Sequence, residues 1–276
     1  MTNTPKNYRF GGIERLYGKA GFALIARARV CIVGIGGVGT WAAEALARSG
    51  IGHLTLVDAD EICITNVNRQ IHAMDGTVGQ SKVQAMAERI RAIHPDIVLG
   101  LEETFFTENT SERILESGFD YVFDAIDSVP HKCHLIATCR QKGIPIITSG
   151  GAGGRTQPGD IQITDLSKSF NDPLLTFVRK RLRQKYGFPR ERRWRFKVDC
   201  VFTPEEPKYP QDDGTVCERR EKGTDYRLNC DNSFGTSAAI TGTIGFLASA
   251  HILNKIAGKR SAPEGSNSKE TLANSS

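Results

Sequence analysis

No CxxC pair occurs anywhere in this sequence. Its seven cysteines stand singly, at positions 31, 63, 133, 139, 200, 217 and 230. Their spacing and odd count argue against a four-cysteine zinc site and a disulfide framework. Such cysteine usage fits a reducing compartment, so a cytoplasmic location is expected. Residues 1–10 contain no apolar stretch of the kind that a signal peptide needs, so none is read there. Internal repeats are also missing. Neither sign of charge dominates: 36 Lys and Arg against 31 Asp and Glu give a formal charge of +5, compatible with a polyanionic partner without requiring one. What is present is 276 residues, 39% hydrophobic and 24% charged. That is a globular composition, long enough for one large domain or two small ones.

Through the first half, strand-like and helix-like stretches alternate. Residues 29–33 form a short β-branched run, 37–49 read as a helix, and 53–57 as the next strand. Ser81 is placed to cap a helix in which Val83, Met86, Ala87, Ile90 and Ile93 recur at helical spacing. Residues 121–125 are another strand, Ser128 begins a helix that runs to Lys142, and 144–148 are the strand after it. This alternation predicts an α/β fold, Rossmann-like, with a largely parallel sheet and helices on both faces. The second half is irregular and basic. A basic amphipathic helix is expected over 172–186, loops and short strands over 190–210, and an apolar, small-residue segment over 233–253. A single domain over 1–257 is predicted, with a nucleotide half of about 1–154 and a substrate half of about 155–257. Residues 258–276 read as a disordered tail.

Gly34, Gly36, Gly37 and Gly39, in GIGGVG, follow a strand and open a helix. There, glycines let the backbone approach a phosphate and turn helix N–H groups towards it. Asp58 closes the following strand, where a carboxylate meets ribose hydroxyls in this fold. NAD stays open on that motif alone, but the next segment points to a triphosphate. Asp58 and Asp60 lead into Asn66, Asn68, Arg69 and Gln70, and Lys82 follows at a helix start. Arg69 and Lys82 supply cations for β- and γ-phosphate oxygens, and Asp127 can hold Mg2+. Singly each would read as a solvated charge; their joint placement after the glycine loop favours a site.

With GIGGVG at 34–39, VDAD at 57–60, NVNRQ at 66–70, VGQSK at 78–82 and DAID at 124–127, the chain resembles the ubiquitin-activating and molybdopterin- and thiamine-pathway adenylyltransferase superfamily. The resemblance implies ATP and Mg2+, and attack of a carboxylate on the α-phosphorus. It implies that Asp58 holds the ribose, Arg69 and Lys82 the phosphates and Asp127 the metal, with Asn66 helping to place the phosphates. It also implies a homodimer, and an arginine finger at Arg15 delivered across the dimer interface. Within the superfamily the chain is similar to the tRNA threonylcarbamoyladenosine dehydratase branch. That likeness rests on RFGG and RLYG within 9–18, WAAEALARSGIG at 41–52, NRQIHA at 68–73, DAIDSV at 124–129, SGGAGG at 149–154, VDCVF at 198–202 and DGTVC at 213–217. The implied reaction is ring closure with net loss of water, after ATP activates the carboxylate of a modified adenosine beside the anticodon. The carrier-protein activators often have two CxxC knuckles, which this chain lacks. Activation of a ubiquitin-like sulfur carrier is the alternative, and a dinucleotide-dependent oxidoreductase or a non-catalytic nucleotide-binding module comes third.

Ten cations crowd residues 179–197 against one acid, Glu191. A tRNA substrate needs such a patch. Arg179, Lys180, Arg183, Arg192, Arg193 and Arg195 are expected to contact RNA, and Trp194, Phe188 and Phe196 to stack on unpaired bases. Cys200, Cys217 and Cys230 invite a thioester or sulfur-relay reading with a protein partner, set against simple core filling. His131 and His134 flank Cys133 without a fourth metal ligand nearby. Residues 150–154 are expected to wrap the activated carboxylate, with a plain loop as the alternative. A buried helix is favoured for 233–253, with peripheral membrane association still open, and so is a monovalent cation beside ATP and Mg2+.

Overall fold

The computed structural model describes residues 8–191, 193–211, 213–217 and 234–259. Arg192, Cys230, Ser233 and the tail from 260 onwards, all named above, lie outside the described residues. Along the chain run α1 (Gly11–Arg27), β1 (Arg29–Val33), α2 (Gly37–Arg48), β2 (His53–Val57), α3 (Lys82–Ile93), β3 (Val98–Glu102), α4 (Glu108–Leu115) and β4 (Tyr121–Asp124). Then come α5 (Val129–Lys142), β5 (Ile146–Ser149), β6 (Gln162–Asp165), α6 (Pro173–Lys185), β7 (Asp199–Phe202), the short pair β8 (Tyr209–Pro210) and β9 (Val216–Cys217), and α7 (Ala238–Ala257).

Seven strands form one sheet in the order β3-β2-β1-β4-β5-β7-β6, and only β6 runs antiparallel, against β7. Side chains alternate across it because the strand period is two. Val30, Ile32, Leu54, Leu56 and Phe123 join one core with α2, α3 and α7. Cys31, Val33, Val57 and Val122 join the other with α4, α5 and α6. Both faces are therefore covered, as the near-continuous apolar strands require. The expected strands and helices of the first half are present, with ends shifted by a residue or two.

The irregular second half contributes more regular structure than its composition suggests. It supplies β6 and β7 to the same sheet, and α6, whose N-cap Asp172 accepts from the Leu175 N–H at 2.9 Å. Apolar α7 lies along α2. An added Cβ at Gly245 would come within 2.9 Å of the Ala42 nitrogen, and Ser249 Oγ donates to the Ala42 carbonyl (3.2 Å). Small residues let these two helices meet closely. Among the described residues, no helix is long and apolar enough to cross a membrane.

Candidate active site

Parallel strands carry their ligand sites beyond their C-terminal ends, and here the ends of β1, β2 and β4 converge. Gly34 leaves β1 at φ 95°, and a side chain there would press on the Ala125 carbonyl after β4. A Cβ at Gly39 would overlap the Gly34 carbonyl oxygen, and one at Gly37 would lie 2.9 Å from Thr241 Cγ2 of α7. Those three glycines close the loop and pack it. Gly36 differs, because a Cβ there would meet nothing within 4 Å. It occupies the cap position of α2 with no side chain to engage the first N–H groups, which stay available to an anion.

Asp58 is half-buried at the same edge. Its Oδ2 accepts from the Ile35 N–H at 2.6 Å and its Oδ1 from the Asp60 N–H at 2.9 Å, so the carboxylate is oriented against the glycine loop. Burial raises its pKa, opposed by Lys82 and these two N–H groups. Lys82, at the first position of α3, is almost fully buried and places Nζ 2.7 Å from Asp60 Oδ2. Asn66 spends Oδ1 on the Cys63 N–H (3.0 Å). The Arg69 guanidinium donates to the Thr65 carbonyl (2.6 Å) and to Asn68 Oδ1 (3.0 Å), while its own carbonyl accepts from Trp41 Nε1 and Thr241 Oγ1. The fold thus brings together Gly36, Asp58, Asp60, Asn66, Arg69 and Lys82. Asp127 stands just past β4, exposed, with no hydrogen bond or ion pair among the described residues. Such an uncommitted carboxylate suits a hard cation.

Sequence reasoning missed what holds Asp127 in place. Asp124 and Lys132 are both wholly buried, with Nζ 3.0 Å from Oδ2. Asp124 also accepts from Thr148 Oγ1 (2.6 Å) and from the Ile126 N–H (3.1 Å), and Lys132 donates to the Ile126 carbonyl (2.8 Å). Burial pushes the Asp124 carboxyl up, and Lys132 pulls it down. Both groups thereby fix the turn that presents Asp127. A lysine in the first turn of a helix, just after an Asp-ended strand, was the one local sign. Also missed was the burial of His72, close to Gln70 in NRQIHA. Both are buried, and among the described residues neither Gln70 Oε1 nor either His72 ring nitrogen has a hydrogen-bond partner.

Two other expectations, for the 150–154 loop and for Phe188 and Phe196, need correction. The 150–154 loop offers no free N–H at its start: Gly150 donates to the Val201 carbonyl and Gly151 to Asp172 Oδ2. Gly153 and Gly154 are required by close approach to Phe234 and to the Lys208 backbone, so this loop is packing. Phe188 and Phe196 are buried, not presented for stacking, with Arg140 and Arg183 lying over their rings. Arg179 donates to Ser169 Oγ and Thr176 Oγ1, and the exposed Arg193 pairs with the exposed Glu191 at 2.6 Å. Lys180, Trp194 and Arg195 are exposed. Cys200 is wholly buried, and burial pushes its thiol well above the usual range. Among the described residues no group of three or more His, Cys, Asp or Glu could hold a metal ion. Arg15 is exposed on α1, with its guanidinium over Gly11 and Gly12 beside Phe10, which packs on His94 at the end of α3 opposite Lys82.

With that geometry in view, the comparisons with known proteins are specific. The description "ThiF family" matches residues 12–275. The tRNA threonylcarbamoyladenosine dehydratase of Escherichia coli (strain K12) is 48% identical over 252 residues, covering 91% of this chain and 94% of that protein. Its namesake from Bacillus subtilis (strain 168) is 42% identical over 218 residues, 79% of this chain and 82% of the relative. Among solved structures, the E. coli tRNA N6-threonylcarbamoyladenosine dehydratase in complex with ATP superposes with a TM-score of 0.81 at 44% identity. That match covers 93% of this chain and 97% of the other.

Proposed function

The chain belongs to the ThiF family, and we propose that within it the protein is an ATP-dependent tRNA threonylcarbamoyladenosine dehydratase. One observation carries this reading: 48% identity to an enzyme of that name along 94% of the enzyme's length, which takes in the second half of the chain as well as the nucleotide half. The site chemistry agrees. Gly36 and the first N–H groups of α2 are placed for phosphate, Asp58 for ribose hydroxyls, and Arg69 and Lys82 for phosphate charge. Lys82 would have to divide its charge between Asp60 and the ligand. Asp127 is the residue to hold Mg2+, whose contribution when bound is to neutralise phosphate charge. The work left to the protein is to orient ATP and the substrate carboxylate and to keep them together while a group within the same side chain displaces the activated leaving group, with net loss of water.

No protein thioester is needed, which fits a buried Cys200. A homodimer is part of the proposal because Arg15 cannot serve its own chain's site. Exposed Leu16, Ile64, Val67 and Phe246 give apolar surface for such an interface. The proposed location is cytoplasmic, where tRNA and ATP are found.

The test is incubation of the protein with ATP, Mg2+ and tRNA bearing threonylcarbamoyladenosine, followed by mass spectrometry of the digested nucleosides. A mass loss equal to one water is expected, and its absence would sink the reading. Asp127→Ala should abolish turnover in a folded protein; unchanged turnover would remove Asp127 from the site.

A further inference from the structure

Away from the glycine loop, α4, α5 and α6 enclose a cavity of about 270 Å³ that opens to solvent. Its lining includes Glu108 and Asn109 from α4, His131 and His134 from α5, and Arg181 and Tyr186 from α6 and its C-cap. The side chain of Arg181 lines the cavity and can turn its guanidinium donors towards a ligand. None of these six residues belongs to the nucleotide cluster. The cavity is nevertheless tied to it, because His131 lies one turn beyond Asp127 on the helix that the Asp124–Lys132 pair anchors. On its other side it adjoins the basic segment, since Lys180 and Lys185 share α6 with Arg181.

We propose that this cavity receives one unpaired nucleobase of the tRNA, next to the modified adenosine in the anticodon loop. The inference rests on the tRNA-dehydratase reading. Its size is below that of pockets for drug-sized ligands, roughly 300–1,000 Å³, and suits a single flat ring system. The lining matches a base better than a phosphate. Two imidazoles and a phenol ring provide flat surfaces, and RNA-binding proteins stack splayed-out bases on such rings and on arginine planes. Arg181 can donate to the base edge, and Glu108 and Asn109 can accept from it. A phosphate would instead face the Glu108 carboxylate, which acts directly on His134. His134 is held towards its neutral form, by burial first and by His131 as well, with Glu108 opposing. An imidazole kept neutral is a stacking surface and not a cation for phosphate. A base held here and a backbone tracked by α6 would bring the loop to the edge where Asp127 stands.

Filter binding of threonylcarbamoyladenosine-bearing tRNA across a salt series tests the assignment, with Tyr186→Ala and His131→Ala made singly. A lost base stack weakens affinity by roughly 5- to 150-fold. It should leave the slope of log affinity against log salt unchanged, whereas a lost phosphate contact lowers that slope by about one. ATP affinity should stay at the parent value, which also reports that each variant is folded. Abasic substitution of the nucleotides flanking the modified adenosine, one at a time, completes the cycle. At one of them the wild-type protein should lose the same factor, and Tyr186→Ala should then cost nothing more. Unchanged tRNA affinity in both folded variants, a reduced salt slope, or full additivity at every flanking position would each overturn the proposal. Failure of the parent reading would look different: the wild-type protein itself would neither bind nor dehydrate the tRNA.

Discussion

A buried imidazole without a hydrogen-bond partner is held neutral, and His72 is the clearest case in this molecule. It is 1% exposed. Burial lowers its pKa to about 4, and the nearby positive charges of Lys82 and then Arg89 add to that, while the Ile35 backbone opposes without forming a well-aligned hydrogen bond. The unfolded chain takes up this proton near pH 6.5, and the folded protein takes it up only near pH 4. Between those values the unfolded state binds more protons, so stability rises with pH across the window and is lost as pH falls through it. A shift of this size corresponds to about 3 kcal/mol. His94 and His134 are shifted in the same direction, so the informative quantity is a difference between proteins. Urea unfolding at several pH values should show a steep loss of stability from pH 6.5 to 4 in the parent and a shallower one in His72→Gln. Parallel profiles would mean that His72 titrates normally. His72 is close enough to Lys82 to feel its charge, so protonation of the folded protein near pH 4 would also disturb the nucleotide site.

At the scale of the element, the strand–loop–helix from β1 to α2 separates glycines that hold the fold from one that faces a ligand. Gly39→Ala would drive a methyl group into the Gly34 carbonyl, a backbone group that cannot swing aside, with the Ile32 side chain next to it. A loss of more than about 3 kcal/mol is expected, beyond the usual cost of overpacking. Gly36→Ala meets nothing, and its backbone, at φ −89° and ψ −151°, is open to alanine. That variant should melt close to the parent while losing ATP affinity, because the added methyl group stands where a phosphate would approach. Thermal melts paired with calorimetric titration of Mg·ATP check both; equal ATP affinity in Gly36→Ala would place the phosphate elsewhere. Much of this element was legible in the sequence, since a β-branched run, spaced glycines and an Asp-ended strand are local patterns. The basic segment was legible only as charge. Which rings are buried depends on β7 and α6 packing onto α5, so Phe188 and Phe196 could not be told from Trp194 by sequence. Lys132 was hidden for the same reason: its meaning comes from a carboxylate on a different element. The first helix, α1, also escaped, because Gly18 at φ 72° breaks its pattern midway.

At the scale of the whole molecule, the proposed role of Arg15 turns on which end of α3 it lies beside. Lys82 stands at the first position of α3, beside Asp60 and the nucleotide cluster. At the last, Ile93 accepts a hydrogen bond from Arg9 (2.8 Å), and Phe10 packs edge-on against His94 just beyond. Twelve residues of helix place these two ends about 16 Å apart. Arg15 belongs to the far end, with its guanidinium over Gly11 and Gly12, next to Phe10. It therefore cannot act on phosphates bound by its own chain without α1 leaving its place against α7. In a two-fold dimer, the surface that carries Arg15 in one subunit can meet the nucleotide edge of the other. Each active site would then be built from two chains, and this has a quantitative consequence. Arg15→Ala and Asp127→Ala should each be inactive alone. Mixed in equal amounts and allowed to exchange subunits, half of the dimers would be heterodimers, each with one complete site, so about one quarter of parent activity should return. Dehydration assays on the mixture, with subunit exchange followed by mass spectrometry of intact dimers, give the answer. If heterodimers form and activity does not return, Arg15 acts within its own chain or not at all.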